Sequence, residues 1–437
     1  MTWTHFSTKL RYMQRIAIVG SGIAGLSAAH VLHPTHEITV FEADHRVGGH
    51  ANTVAVHEAD QTLGIDTGFI VYNERNYPAF SAMLAGLGVA TQPGGMSFSV
   101  SSLVSGLEYR TTSLNTLLAR RSNLVRPSFA RMIADIPRFN RALRTLVESS
   151  DISTSLADFL VDCRYSRPFV DDYLIPLGAS IWSADPQRFT EFPVAPLARF
   201  LHRHGLLSAG GRPQWRTVSG GSREYVRLLT RPWRDRIRTG CAVRRIDRDD
   251  QGVVLHTRAH PDGERFDKVV LATHADVSLS LLSHPTRVEM SVLGAFRYQR
   301  NRTTLHTDQT LLPRRRRAWG SWNYLRVAVD QQVPTLTYYA NRLQALRSAT
   351  DYCVTLNADD AIDQSRIIAS YDYTHPVFDS GALHAQRRRS EIDGHLNTYY
   401  AGAYWGYGFH EDAVQSALTT TERLLARTPQ REAVFTR

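Results

Sequence analysis

Apolar positions open this chain in two short, dense bursts. Residues 16–19 form one unbroken apolar run and residues 38–41 a second, interrupted only by Thr39, with small and apolar residues crowded between them from Leu26 to Leu32. Such runs are too short for helices and too continuous for half-exposed strands, so they predict parallel strands buried on both faces, with a crossover helix between them. Residues 76–204 then follow a mostly helical pattern. Strand-like runs return at 240–246, 253–256 and 267–274, and Gly220-Gly221-Ser222 precedes a helix that starts near Arg223. Residues 286–390 mix strands with loops. Residues 399–402 form a last strand-plus-glycine segment, and a closing helix runs to about Ala426. Similar signals at the two ends of the chain predict interleaved rather than consecutive domains.

The turn after the first run supplies the first chemistry. Gly20, Gly22 and Gly25 are spaced G-x-G-x-x-G, immediately after a strand and at the start of a helix. In that setting the first glycine makes the tight turn, the second lets backbone approach a pyrophosphate, and the third lets helix and strand pack closely. The helix N-terminus offers free N–H groups to the phosphates. Ser21, Ile23 and Ala24 belong to the same turn. Glu42, followed by Ala43, ends the second strand about 20 residues on, where an acid meets ribose hydroxyls and disfavours a 2′-phosphate. The prediction is an α/β, Rossmann-like dinucleotide-binding unit that does not take NADP.

The next residues, Arg46-Val47-Gly48-Gly49-His50, resemble the R-x-G-G segment of the large flavin family that includes amine oxidases, phytoene desaturases and protoporphyrinogen oxidases. The resemblance implies FAD, with Arg46, Gly48, Gly49 and His50 near the pyrophosphate and flavin. It extends to residues 48–54, 66–78, 174–183, 202–207 and the C-terminal segment. These stretches look like a bacterial amine-oxidase-like group of FAD-dependent oxidoreductases, itself similar to the flavin domain fused to some plant cyclopropane fatty acid synthases. By that resemblance Thr67 and Gly68 lead towards the flavin ring, Val243 meets adenine through its backbone, and Thr273 lies on the pyrophosphate side. Gly402, Gly408, Phe409 and His410 line the ribityl and isoalloxazine end. Where relatives often place an acid for the ribityl hydroxyls, this chain has Ala403, and the closing motif has no cysteine, so the FAD is expected to be noncovalent. The expected FAD domain comprises 14–75, 205–285 and 391–437. An α+β substrate domain comprises 76–204 and 286–390, and residues 1–13 form a disordered extension.

Composition narrows the chemistry. The formal net charge is +10, yet Lys9 and Lys268 are the sole lysines among 51 basic residues. Many amine oxidases place a lysine beside flavin N5. Lys9 precedes the fold, Lys268 sits in a cofactor-domain strand, and arginine does not readily give up a proton. The amine-oxidase likeness therefore describes the fold. Instead the resemblance implies oxidation or desaturation of an apolar, fatty-acyl or lipid-linked substrate, with flavin amine oxidation as one alternative. A flavin-binding accessory partner of a lipid methyltransferase is another. Tyr72 and Tyr404 are the best catalytic candidates, with Asn73, Trp182, Trp405, His202 and His204 as further candidates for the pocket. Three scattered cysteines, Cys163, Cys241 and Cys353, predict a reducing cytoplasm without disulfides. Neither a nucleic-acid motif nor a metal-ligand spacing is present. From 114 to 147 seven arginines face only Asp135. Pro127 and Pro137 predict two or three short basic amphipathic helices there, suited to an anionic membrane surface or to a solvated face over a core.

Overall fold

The computed structural model describes residues 13–208, 210 and 213–426. The predicted extension, apart from Met13, lies outside the described residues, and so does the end of the chain beyond Ala426. A five-stranded parallel sheet forms the first layer. Its centre is Arg15–Val19, flanked by Glu37–Phe41 and Lys268–Leu271, with Ile237–Arg238 and Thr398–Tyr400 at the two edges. Segments more than 350 residues apart in sequence thus share one sheet. Ile16, Ile18, Val40 and Val270 are fully buried, as an apolar strand covered on both faces requires. The helix Ile23–Leu32 packs between this sheet and the closing helix His410–Ala426, with Leu26 and Ala29 meeting Ala413 and Ala417 in one core. Small residues let the two helices approach closely.

The second layer is a seven-stranded sheet. In spatial order it runs Ile367–Val377, Arg297–His306, Cys353–Leu356, Thr335–Tyr339, Trp322–Arg326, Phe98–Ser102, Glu108–Arg110. Its two long strands pair antiparallel from Arg297↔Val377 to Thr304↔Ser370 and carry Tyr298, Tyr373 and His375 to turns that border the first sheet. Phe98–Ser102 and Glu108–Arg110 interrupt the helical pattern expected across 76–204. Phe98–Ser102 mixes serines with apolar residues and pairs with Trp322–Arg326, more than 200 residues away, so its local sequence gave little sign of a strand.

Residues 114–145 also depart from expectation. Apart from the single turn Leu114–Leu117 and a 3-10 turn at Arg121–Val125, they make one 19-residue helix, Pro127–Thr145, with Pro137 inside it. Pro127 occupies a first-turn position, where a missing N–H has no consequence. Phe129, Met132, Phe139 and Leu143 hold the helix on the second domain's aromatic core, which outweighs the one hydrogen bond Pro137 removes. The apolar stripe of this helix is therefore spent inside the protein.

Candidate functional site

The glycine turn has the form the sequence predicted. Gly20 adopts φ +102° and its N–H donates to the Phe41 carbonyl at 2.8 Å. A Cβ on Gly25 would lie 2.0 Å from the Gly20 carbonyl oxygen, whereas one on Gly22 would meet nothing within 4 Å. Gly22 also N-caps the following helix without any side-chain cap, so its first N–H groups face an open cradle. Thr273 lies on the opposite wall, its amide nitrogen 3.3 Å from where a Gly20 Cβ would be.

Glu42 stands at the end of its strand, its Oε2 accepting from the Ser21 N–H at 2.9 Å and the Ser21 hydroxyl at 2.5 Å. The Cys241 N–H donates to the Glu42 carbonyl at 2.8 Å, which brings the start of Val243–Asp249 beside Glu42 and Ala43. The Arg46–His50 turn closes over the cradle. The Gly48 N–H donates to the Ser21 carbonyl at 3.0 Å, and a Cβ on Gly49 would sit 3.1 Å from the Gly22 Cα. Arg46 braces the turn through the carbonyls of Gly49 (2.8 Å) and Ala51 (3.2 Å).

From there the site continues to a cluster of imidazoles. A Cβ on Gly68 would lie 2.3 Å from the His50 carbonyl oxygen. Tyr373, on the long strand of the second sheet, bonds Asn52 and Thr67 through its hydroxyl at 2.8 Å each. Its ring stacks on His50 at 4.9 Å. His375 is 5.3 Å from His50, and His274 is 6.3 Å from it and stacks on Tyr298 at 4.5 Å. Asn301 and Thr374 hold the Nδ1 atoms of His375 and His274. Burial lowers the pKa of all three rings, His375 to about 4, and the proximity of the other imidazoles and of Arg46 disfavours a charge on His50 further. Buried His50 Nε2 has no hydrogen-bond partner. Three neutral imidazoles thus meet where the two sheets meet.

The closing segment forms the remaining wall. His410 lies flat on Phe69 at 3.5 Å and bonds the Tyr225 hydroxyl, and burial drives its pKa to about 3. Phe409 stacks on Phe200, which stacks in turn on His204 and packs against Trp182. A cavity of about 580 Å³ opens beyond, walled by Trp182, Phe189, Phe192, Phe296, Tyr298 and Phe378, with Arg188, Arg297, Asp185 and Asp276 also lining it. It adjoins the cluster through Tyr298, which stacks on His274, and the closing segment through Phe378, which lies 3.2 Å from where a Gly408 Cβ would be.

Not every candidate residue reaches this site. Tyr72 is buried against Phe80 and Tyr77 in the cofactor-domain core. Tyr404 is buried behind the cavity wall, against Phe296 and Trp405, with its hydroxyl unpartnered and its ring 2.3 Å from where a Gly402 Cβ would be. The structure therefore does not bring the two tyrosines together. It does assemble His274, Tyr298, Tyr373 and His375, of which the sequence singled out none as a site residue. Lys268 heads its strand, at the end away from the cradle, with Nζ donating to the Leu424 carbonyl. Among the described residues no set of three His, Cys, Asp or Glu side chains is arranged to hold a metal, and no helix is long and apolar enough to cross a membrane.

The open cradle at Gly22, the uncapped helix and the orphaned His50 Nε2 fit a dinucleotide that ends in a ring system. Comparisons with known proteins agree. The family model for flavin-containing amine oxidoreductases matches residues 23–301. L-amino-acid oxidase of Crotalus adamanteus is 56% identical over 52 residues, 12% of this chain; the chain spans about a tenth (10%) of the length of that curated relative. Among solved structures, a CLA-producing fatty acid isomerase from P. acnes superposes with TM-score 0.68 at 16% identity, covering 95% of this chain and 99% of that one. Cyclohexylamine oxidase from Brevibacterium oxydans gives 0.67 at 16% identity, over 94% and 100%. Putrescine oxidase gives 0.68 at 16%, over 95% and 99%. At such identities these likenesses speak for the fold.

Proposed function

Since the chain belongs to the flavin-containing amine oxidoreductase family, whose cofactor is FAD, we propose that it is an FAD-dependent oxidoreductase that removes a hydride from an apolar, fatty-acyl or lipid-linked chain. The observation that carries this reading is the 580 Å³ aromatic-walled cavity that ends on neutral imidazoles and lacks a lysine. Gly20, Ser21, Gly22, Ile23, Ala24 and Gly25 would hold the pyrophosphate, Glu42 and Val243 the adenosine, and Gly49, His50, Gly68, Gly402, Phe409 and His410 the ribityl and ring end. No cysteine occurs in the closing segment, which supports noncovalent binding. Bound FAD supplies a hydride acceptor at flavin N5.

The chain's own residues orient substrate and exclude water. Trp182, Phe189 and Phe192 give an acyl chain an apolar bed, and Asp276 stands at the imidazole end, where its charge favours a proton on His274. His50, His274 and His375, all neutral at pH 7, can accept a proton that leaves with the hydride without placing a fixed charge beside the substrate. Tyr72 and Tyr404 keep a place in this reading as packing residues behind the cofactor segments rather than as proton donors.

Anaerobic mixing of the purified yellow protein with acyl-phospholipids, free fatty acids and an amine panel tests the proposal. Bleaching of the flavin band by acyl compounds, with an oxidised or unsaturated product, is expected. Bleaching by amines alone would overturn it in favour of amine oxidation, and no bleaching by either panel would favour an accessory role beside a lipid methyltransferase.

A further inference from the structure

A large part of the exposed apolar surface gathers at one end of the second domain. Leu103 and Val104 form the tip between Phe98–Ser102 and Glu108–Arg110, and Leu103 is 60% exposed. Leu124 and Val125, at 65% and 82%, project from the neighbouring turn. Arg120 bonds the Gly106 carbonyl and Arg126 the Ser105 carbonyl, tying that turn to the tip. The Leu103 N–H donates to the Arg326 carbonyl at 2.8 Å, which places Val327 and Val329 (76% exposed) alongside. The same loop continues to Gln332 and Val333, which line the 580 Å³ cavity.

Arginines edge this apolar end. Arg121 and Arg131 are exposed and have no carboxylate partner among the described residues. Arg314 to Arg317 lie exposed beside Glu108, and among the described residues only Arg315 and Arg316 of the four have a carboxylate partner. Between 103 and 131 the sole acid is Glu108, which is buried. The helix Pro127–Thr145 contributes cations here, but its apolar stripe is already covered by the core.

We propose that this end is a docking surface for an anionic lipid bilayer. The aliphatic tips enter the headgroup region, the arginines meet lipid phosphates, and the loop at 327–333 brings the cavity mouth to the membrane so that an acyl chain passes in without crossing water. The proposal rests on the acyl reading above for its substrate, though not for its surface. Isolated aliphatic tips among cations, with Asp330 the exposed acid of the 327–333 loop, suit a bilayer better than a second copy of this chain, whose own net charge of +10 would repel it.

Flotation of the FAD-loaded protein with vesicles of phosphatidylcholine, with or without phosphatidylglycerol, tests this. Wild type should float with the anionic vesicles and be released by high salt. Leu124→Asp and Val125→Asp should each weaken partitioning about tenfold or more while FAD content and melting curve stay unchanged. Three results would overturn the proposal: no flotation at low salt, variants that float like wild type, or a wild-type dimer that the variants dissociate without any lipid binding. Flavin bleaching by a water-soluble short-chain acyl compound is read in parallel. If bleaching persists without flotation, docking fails and the chemistry stands; flotation without bleaching by any acyl probe supports docking and sinks the acyl reading.

Discussion

Gly22 and Gly25, three residues apart, answer to different neighbours, and this makes them separable. A methyl group at Gly22 meets no protein atom within 4 Å, while at Gly25 it would collide with the Gly20 carbonyl. Gly22→Ala should therefore leave the melting temperature of the FAD-free protein unchanged and weaken FAD binding about tenfold or more, since the added carbon occupies space kept for the pyrophosphate. Gly25→Ala should lower both FAD binding and apoprotein stability. Flavin titration beside thermal unfolding distinguishes the two, and equal loss of apoprotein stability in both variants would contradict the assignment. Tyr373 offers a second residue-scale test. Tyr373→Phe removes the partner of Asn52 and Thr67 next to the flavin turn, at a cost of about 1–3 kcal/mol in stability or FAD affinity. The glycines and Glu42 were legible because the whole device fits within 30 consecutive residues. His375, Tyr373 and Tyr298 were not, because what makes them a site is the register of two strands about 70 residues apart. Nothing local marks a histidine in Tyr-Thr-His-Pro as the neighbour of His50.

Elements show the same divide between local signal and tertiary decision. The proline rule divided 114–147 into short helices, yet Pro127–Thr145 is continuous because four large apolar side chains anchor it on both sides of Pro137. Pro137 is exposed and denies Ile133 a helical hydrogen bond, so Pro137→Ala should stabilise the protein by about 1–3 kcal/mol in denaturant unfolding. The helix Arg287–Leu293 is held in a stricter way. Its Glu289 is fully buried, meets Arg248 through two hydrogen bonds of 2.6 and 2.9 Å, and accepts from the Tyr400 hydroxyl at 2.6 Å. Burial alone would raise this carboxyl, but those partners outweigh it and hold it at about 2. Glu289→Ala would leave the Arg248 guanidinium buried without a counter-charge and should cost about 3–5 kcal/mol. The measured loss should exceed that of Glu191→Ala, whose ion pair with Arg188 is half exposed. Equal losses would mean that Arg248 finds water on its own.

At the scale of the molecule, burial keeps several imidazoles neutral, His375 among them where the two sheets meet, and acid should act on the fold through them. His204, His306 and His375 sit near pKa 4 and His410 near 3, all lowered chiefly by burial from an unfolded value of 6.5. Their unfolded forms take up protons first, so the stability they contribute is complete above pH 6.5 and declines as pH falls towards 4. Asp66 and Asp412 work in the opposite direction. Burial raises both to about 6, so below that pH the folded state binds their protons more tightly and gains stability. Between pH 6.5 and 6 the histidines act unopposed, and below 6 four of them outweigh two carboxyls. The melting temperature should therefore fall by roughly 5 °C or more from pH 7 to pH 4.5, given the entropy of unfolding of a chain this size. His306 is a useful control, because it bonds Thr355 inside the second sheet, away from the cofactor turn. His306→Gln should flatten the acid limb of the melting curve without altering the flavin spectrum, whereas His375→Gln should change both. A melting temperature that stays level from pH 7 to 4.5 would mean that these imidazoles are already charged in the folded protein. The neutral cluster on which the hydride-transfer site depends would then not exist.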